Sequence, residues 1–323
     1  MKYVILGHKN PDVDSLISGY LLEKIMKKRG YDVSFCIPDE SISAESEKIC
    51  NKYGLYLGEY RVDELPQDAK YILVDHHDNS ERTIPGEVVA IIDHHPTSKD
   101  MSSVKYYRNE KSCATACLLA KEYEKEASEE IKKVEARIAA LGENEKEAAQ
   151  KVVQDLKDDL ARDIKLACVA TFVDCVSFHS TKAVKTDVSW ANDMVTKYEL
   201  DYDEIYVDGL CLTELTDVEE IAFNGFKAAK YGDFHLHSSY IQIADLEKSK
   251  DVIDGIIEVL RQYREDKGID LFVFSVYDMT NFRTRVYKIS EEVEIKEYGL
   301  YASRGNTIIP DILKERENKG LKK

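Results

Sequence analysis

Three short apolar runs in the first 95 residues each end in a cluster of histidine and aspartate, and this repetition constrains the chain more than any other feature. Residues 3–6 lead into Gly7-His8-Lys9-Asn10-Pro11-Asp12-Val13-Asp14-Ser15. Residues 71–74 lead into Asp75-His76-His77-Asp78, and residues 88–92 into Asp93-His94-His95-Pro96. With residues 32–37, these runs are apolar or nearly so throughout, as strands buried on both faces must be. A helical pattern over about 15–29 separates the first two, with Leu16, Ile17, Tyr20, Leu21 and Ile25 on its inner face and Gly30 as its stop. Alternation of this kind predicts a parallel sheet built from βαβ units. Ligand crevices of such sheets lie at the carboxyl ends of the strands. Three strands therefore deliver imidazoles and carboxylates to one edge, and Asp174 follows a further apolar run at 164–173.

One aspartate or histidine after a strand is ordinarily a cap or turn residue. Repeated clusters at the same end of successive strands need another cause. Acids packed this densely repel one another unless cations neutralise them. Carboxylate and imidazole ligands without thiolate favour Mn²⁺, Co²⁺ or Fe²⁺ over a structural zinc. The candidate ligands exceed one ion's needs, which implies a two-metal site sharing a carboxylate and an acidified water.

Composition narrows the function classes. A formal net charge of −16 opposes a nucleic-acid partner, whose binding rests on neutralised phosphates, but not a small anion in a locally positive pocket. The opening apolar run is too short for a signal peptide or a membrane span, so a cytoplasmic protein with no membrane partner is expected. Seven cysteines without a C-x-x-C pair read as reduced, mostly buried thiols, with Cys113 and Cys117 on one helix face.

At 323 residues two domains are expected, 1–210 and 218–323. Ile131, Val134, Ile138 and Leu141, then Val152, Val153, Leu156 and Leu160, mark a helical hairpin broken at Gly142, an insertion over about 124–163. The second domain reads as α+β: helices at 218–230 and 250–267, strands at 239–244, 271–276 and 285–288, and a frayed Lys-rich tail at 314–323. The fold class is thus α/β, a parallel-sheet domain with a helical-hairpin insertion, followed by a smaller α+β domain.

At these residues the chain resembles the DHH phosphoesterase superfamily with a DHHA2-type C-terminal domain, specifically the manganese-dependent (family II) inorganic pyrophosphatases. The motif at 8–15, Asp75-His76, Asp93-His94-His95, Phe172-Val173-Asp174 with Phe178-His179-Ser180, the segment 218–227 and Ser303-Arg304 carry the likeness. The resemblance implies that His8 and Asp12 hold one metal, that Asp14, His94 and Asp174 hold the other, and that Asp75 bridges them. It assigns phosphate binding to His95, Lys227 and Arg304, with Asp75, His95 and Asp14 catalytic. It also implies two Mn²⁺ ions, with Co²⁺ or Mg²⁺ as alternatives, a small phosphate-compound substrate, an active site between the domains, and a homodimer.

Two departures stand out. Gly305-Asn306 follows Arg304 where the family carries a lysine, and His77 replaces a usual asparagine. The expected reaction is hydrolysis of a phosphoanhydride, foremost inorganic pyrophosphate, by a hydroxide between two metals. A short-chain exopolyphosphatase, a nucleotide phosphodiesterase and a non-catalytic scaffold remain alternatives. Asp78 and Asp93 are expected to support neighbouring imidazoles.

Overall fold

The computed structural model describes every residue except 1, 78–82, 98–99, 139–140, 181, 216, 300 and 319–323, and the backbone alone at 143, 144 and 306. Asp78 lies outside the described residues. The chain divides into two compact units, Met1–Phe178 with Lys182–Gly209, and His179–Thr181 with Leu210–Lys323. No helix among the described residues is long and apolar enough to cross a membrane.

The first unit holds a five-stranded sheet of β1 (Lys2–Leu6), β2 (Asp32–Phe35), β3 (Lys70–Val74), β4 (Val88–Asp93) and β5 (Tyr106–Asn109). Their spatial order is β2-β1-β3-β4-β5, and every pairing is parallel. Side chains alternate across the pleat. Ile5, Ile72, Val74 and Ile92 face a core built with α1 (Val13–Lys28), α3 (Thr115–Ile138) and α4 (Glu143–Asp174). Val4, Leu6, Leu73 and Ile91 face a smaller apolar cluster on the other side. The continuous apolar runs are therefore buried on both faces, as the sequence required. The edge strand β5 escaped notice because Tyr106 and Tyr107 are exposed and no apolar run marks it.

Helix α1 begins where Asp12 caps it, its carboxylate accepting from the Ser15 N–H at 3.0 Å. Gly7 is needed here, since a Cβ on it meets the Ser15 hydroxyl at 2.2 Å. The helical hairpin is longer than expected. It starts at Thr115, which leaves Cys113 before the helix, and it ends at Asp174, because the apolar run at 164–173 is helical. Ile131, Val153 and Leu160 are buried in its seam, whereas Val152 is exposed and does not belong to it. Helices α2 (Ala44–Lys52), α5 (Lys185–Lys197) and α6 (Tyr202–Gly209) complete this unit.

The second unit comprises α7 (Val218–Ile221), β6 (Lys227–Tyr231), β7 (Phe234–Ile243), α8 (Lys250–Lys267), β8 (Leu271–Asp278), β9 (Arg283–Ile289), β10 (Val293–Tyr298) and α9 (Ile309–Asn318). The sheet runs β10-β9-β8-β7-β6, parallel only between β7 and β8, which α8 connects. Ile253, Ile256 and Leu260 bury one stripe of α8, and Gly268 closes it at φ 62°.

The expected helix at 218–230 is corrected: α7 is one turn, and Lys227 opens a strand. Gly225 at φ 59° ends the helical path, and Gly232 at φ 62° turns β6 back onto β7. A hairpin thus overrides the helix propensity of Lys227-Ala228-Ala229-Lys230. The expected tail is also corrected over 314–318, where α9 forms a helix anchored by buried Ile309 and Ile312, while 319–323 lie outside the described residues.

Candidate metal centre

The site forms at the carboxyl ends of β1, β3 and β4. Asp75 follows β3 directly and adopts φ 63°, a left-handed conformation uncommon for a residue with a Cβ. Its N–H donates to the Ile92 carbonyl at 2.9 Å, and its side chain is 2% exposed. His8, after β1, sets Nε2 3.6 Å from Asp75 Oδ2 and 3.5 Å from Asp12 Oδ1. His94, after β4, sets Nε2 3.4 Å from Asp75 Oδ1, 3.8 Å from Asp14 Oδ2 and 3.9 Å from Asp174 Oδ2. The structure thus gathers His8, Asp12, Asp14, Asp75, His94 and Asp174 around Asp75, which stands between two histidine groups.

Both imidazoles are oriented for ligation. His8 Nδ1 lies 2.9 Å from the Lys9 carbonyl and His94 Nδ1 lies 3.0 Å from the Ser112 carbonyl. A carbonyl only accepts, so Nδ1 donates in each case and the Nε2 lone pair faces the carboxylates. His94 Nε2 is buried without a hydrogen-bond partner among the described residues. Burial, and then the charges of Asp14, Asp12 and Asp174, push the Asp75 carboxyl well above its ordinary range. Burial also raises Asp174, with Asp14 and Asp12 adding to it. Two ligand triplets have atoms within 4.8 Å of one another: His8, Asp12 and Asp75, and Asp75, His94 and His95. An aimed lone pair and mutually opposed carboxylates are what a divalent cation stabilises, so the donor set fits metal binding.

Asp14 is held differently. The backbone N–H groups of Thr115 and Ala116 each donate to it at 2.8 Å, and Ser18 donates at 3.3 Å. The N-terminus of α3 thereby fixes one carboxylate of the cluster. Thr115 Oγ1 donates to Asp75 Oδ1 at 3.2 Å. Asp93 is wholly buried and accepts from the His94 N–H at 2.7 Å and from the His95 N–H at 3.1 Å. It also holds His77 Nδ1 at 2.6 Å and His95 Nδ1 at 2.9 Å. That bond to Asp93 raises the His95 imidazole, against burial, and leaves its ring half exposed beside Asp75.

Lys227 and Arg304 share one corner of the second unit. Arg304 Nη1 donates to the Gly225 carbonyl at 2.5 Å and approaches that of Ser238, the register partner of Lys227, at 3.5 Å. Its guanidinium lies over the Tyr240 ring, 5.1 Å from the centroid. Two residues of the first unit's site were not read from the sequence. Thr115 has no local signal. Lys182 lies two residues beyond the segment ending at Ser180, and its ammonium contacts Asp174 Oδ1 at 2.8 Å and Oδ2 at 3.0 Å.

Residues 2–142 match the model of the DHH family, N-terminal domain. The chain is 26% identical over 290 residues to the manganese-dependent inorganic pyrophosphatase of Methanocaldococcus jannaschii, covering 86% of this chain and 83% of that protein. It is 27% identical over 287 residues to the "Probable manganese-dependent inorganic pyrophosphatase" of Bacillus licheniformis, covering 86% and 82%. Its fold matches a crystal structure of a candidate family II inorganic pyrophosphatase from Methanococcus jannaschii with a TM-score of 0.61 at 19% identity, over 96% of this chain and 97% of that one. Residues 2–142 are therefore similar to the DHH family, N-terminal domain, and most of the chain is similar to proteins named manganese-dependent inorganic pyrophosphatases.

Proposed function

We propose that this protein is a hydrolase of phosphoanhydrides, with inorganic pyrophosphate as its substrate and two Mn²⁺ ions as its cofactor. The observation that carries the reading is Asp75, buried between the His8 and His94 groups with further carboxylates around it. In this reading His8 and Asp12 hold one cation, Asp14, His94 and Asp174 hold the second, and Asp75 serves both. When bound, such a pair of ions acidifies a shared water and neutralises the phosphates. Asp14 is kept in register by the first N–H groups of α3, and Asp75 by Thr115. His95, oriented by Asp93, presents its free edge to a phosphate oxygen. Lys227 and Arg304 bind the same substrate and offset the charge that develops on the leaving phosphate. The names of the relatives support the reaction and the metal.

Short-chain polyphosphate is a second reading, supported by Gly305-Asn306 standing after Arg304 where the resembled family carries a lysine. We also read the protein as a cytoplasmic homodimer with no nucleic-acid partner, from its free cysteines, its acidity and its resemblance. The test is phosphate release from pyrophosphate, tripolyphosphate and tetrapolyphosphate with Mn²⁺, Co²⁺ and Mg²⁺. Fastest turnover of pyrophosphate with Mn²⁺ is expected. A clear preference for the longer chains overturns the first reading in favour of the second, and no release from any of them overturns both.

A further inference from the structure

We infer that Lys182 contacts the substrate's phosphate in the first unit, as a cation additional to His95, Lys227 and Arg304. This rests on the phosphoanhydride reading above. Lys182 lies between α4 and α5, and its ammonium meets both oxygens of Asp174, a carboxylate that is 11% exposed. The charges of Asp12 and Asp14 act on it, and its own charge acts on His95. No other lysine or arginine among the described residues makes an ion pair with Asp12, Asp14, Asp75 or Asp174. The side chain is 46% exposed.

The position is built rather than incidental. After α4 ends at Asp174, Val176, Ser177 and Phe178 all take positive φ, at 52°, 47° and 69°. Such backbone is costly, most of all for a β-branched valine, and it persists where surrounding structure enforces it. Here the Ser177 N–H donates to the Phe172 carbonyl at 2.7 Å, and its hydroxyl donates to the Tyr206 carbonyl at 2.6 Å. The turn thus fixes the end of α4, where Asp174 sits, and Lys182 returns to that same end.

The chemistry follows from competition for Asp174. Were Asp174 to hold a cation, its oxygens would be shared with that ion and their hold on the Lys182 ammonium would weaken. A phosphate oxygen is then its natural counter-charge, held by a charge-assisted hydrogen bond. The phosphoryl group being transferred bears charge over several oxygens, and each fixed cation beside it lowers the barrier. Lys182 thereby supplies a positive charge to a chain that has Gly305 and Asn306 after Arg304.

The test uses the full chain saturated with Mn²⁺ and compares wild type, Lys182→Met and Lys182→Arg. Calorimetric binding of imidodiphosphate, which cannot be hydrolysed at its bridge, is read beside KM and kcat for pyrophosphate. Loss of one charged hydrogen bond predicts at least about tenfold weaker imidodiphosphate binding and a similar rise in KM for Lys182→Met. Lys182→Arg, which keeps the charge, recovers most of both. Mn²⁺ affinity, measured separately, is unchanged or tighter in Lys182→Met, because a competitor for Asp174 is gone. If Lys182 is only a counter-ion to the acids, imidodiphosphate affinity and KM stay at wild-type values in Lys182→Met, and the inference is overturned. If wild type itself neither binds imidodiphosphate nor cleaves pyrophosphate, the pyrophosphate reading has failed and this inference falls with it.

Discussion

Asp75 and Asp163 are buried to the same degree in the same unit, at 2% and 0% exposure, yet their surroundings are opposite. Asp163, on α4, accepts from the Tyr20 and Tyr123 hydroxyls at 2.6 Å each and from Arg162 at 3.3 Å, and it pairs with Lys24. Every neighbour is a donor. Burial, followed by the adjacent Asp163 charge, pushes both phenols far above their ordinary range, so they stay protonated and keep donating. Asp75 instead faces Asp12, Asp14 and Asp174, with one hydroxyl donor in Thr115 and two imidazole lone pairs. A carboxylate completed by the fold ties elements together. A carboxylate left facing other acids needs something the fold does not supply. Surroundings, rather than burial, separate the structural acid from the functional one.

The largest effect that sharpens this contrast is on turnover. Asp75→Asn keeps the shape and removes the charge shared by both histidine groups, so pyrophosphate hydrolysis falls by about 10³-fold or more, roughly 4 kcal/mol of barrier. With chelator present the same substitution leaves stability unchanged or raised, since it removes one of several like charges. Thermal unfolding in EDTA reads that. A loss of stability comparable to that of an Asp163 variant breaks the comparison.

Next comes Asp163→Ala, expected to cost about 3 kcal/mol, the lower end for a broken buried pair because Lys24 and Arg162 both reach water. Denaturant unfolding measures it, and kcat of the folded enzyme remains near wild type. Asp187 behaves as a partial control. Its carboxyl is held below the ordinary range, against burial, by Lys121, Ser112 and the Cys113 N–H. A depressed carboxyl stabilises the fold above its unfolded-state pKa, and that contribution disappears as pH falls through the folded value. Asp187→Asn therefore flattens the loss of stability on the acid side.

A slightly smaller effect comes from the cation. At a hundredfold excess over its Kd, Mn²⁺ adds about 2.7 kcal/mol of stability to wild type. Asp163→Ala retains that increment from its lower baseline, whereas Asp75→Asn forfeits most of it. Equal Mn²⁺ increments in both variants place the cation elsewhere.

The two acids also differ in how legible they are. Asp75 could be read from the sequence because its signal is local and repeated: an apolar run, then aspartate and histidine, then the same again at Asp93-His94. The parallel sheet followed from the same runs. Asp163 carried no signal, since its partners Tyr20 and Tyr123 are 143 and 40 residues away and each looks like an ordinary helix residue. Lys182 and Thr115 were missed for the same reason, their meaning arising only when α3, α4 and the following turn converge. Lys227 was assigned to a helix because Ala and Lys favour one, while the hairpin that claims it depends on Gly225, Gly232 and a register with β7.

The smallest effect tests whether the Asp163 centre is divisible. Tyr123→Phe removes one of its two phenol donors without altering packing, and a hydrogen bond to a charged group is worth about 1.5 kcal/mol at the low end. Tyr20 and Tyr123 reach Asp163 from α1 and α3, so each bond ties a different helix to α4. If the ties are independent, Tyr20→Phe and Tyr123→Phe sum in the double variant. If the two bonds are coupled through the shared carboxylate, the single losses do not sum in the double variant, and a double-mutant cycle reads the difference. Independence makes Asp163 a set of separate clasps. Coupling makes it one polar core, whose completeness accounts for an acid held at full burial by donors of the fold itself.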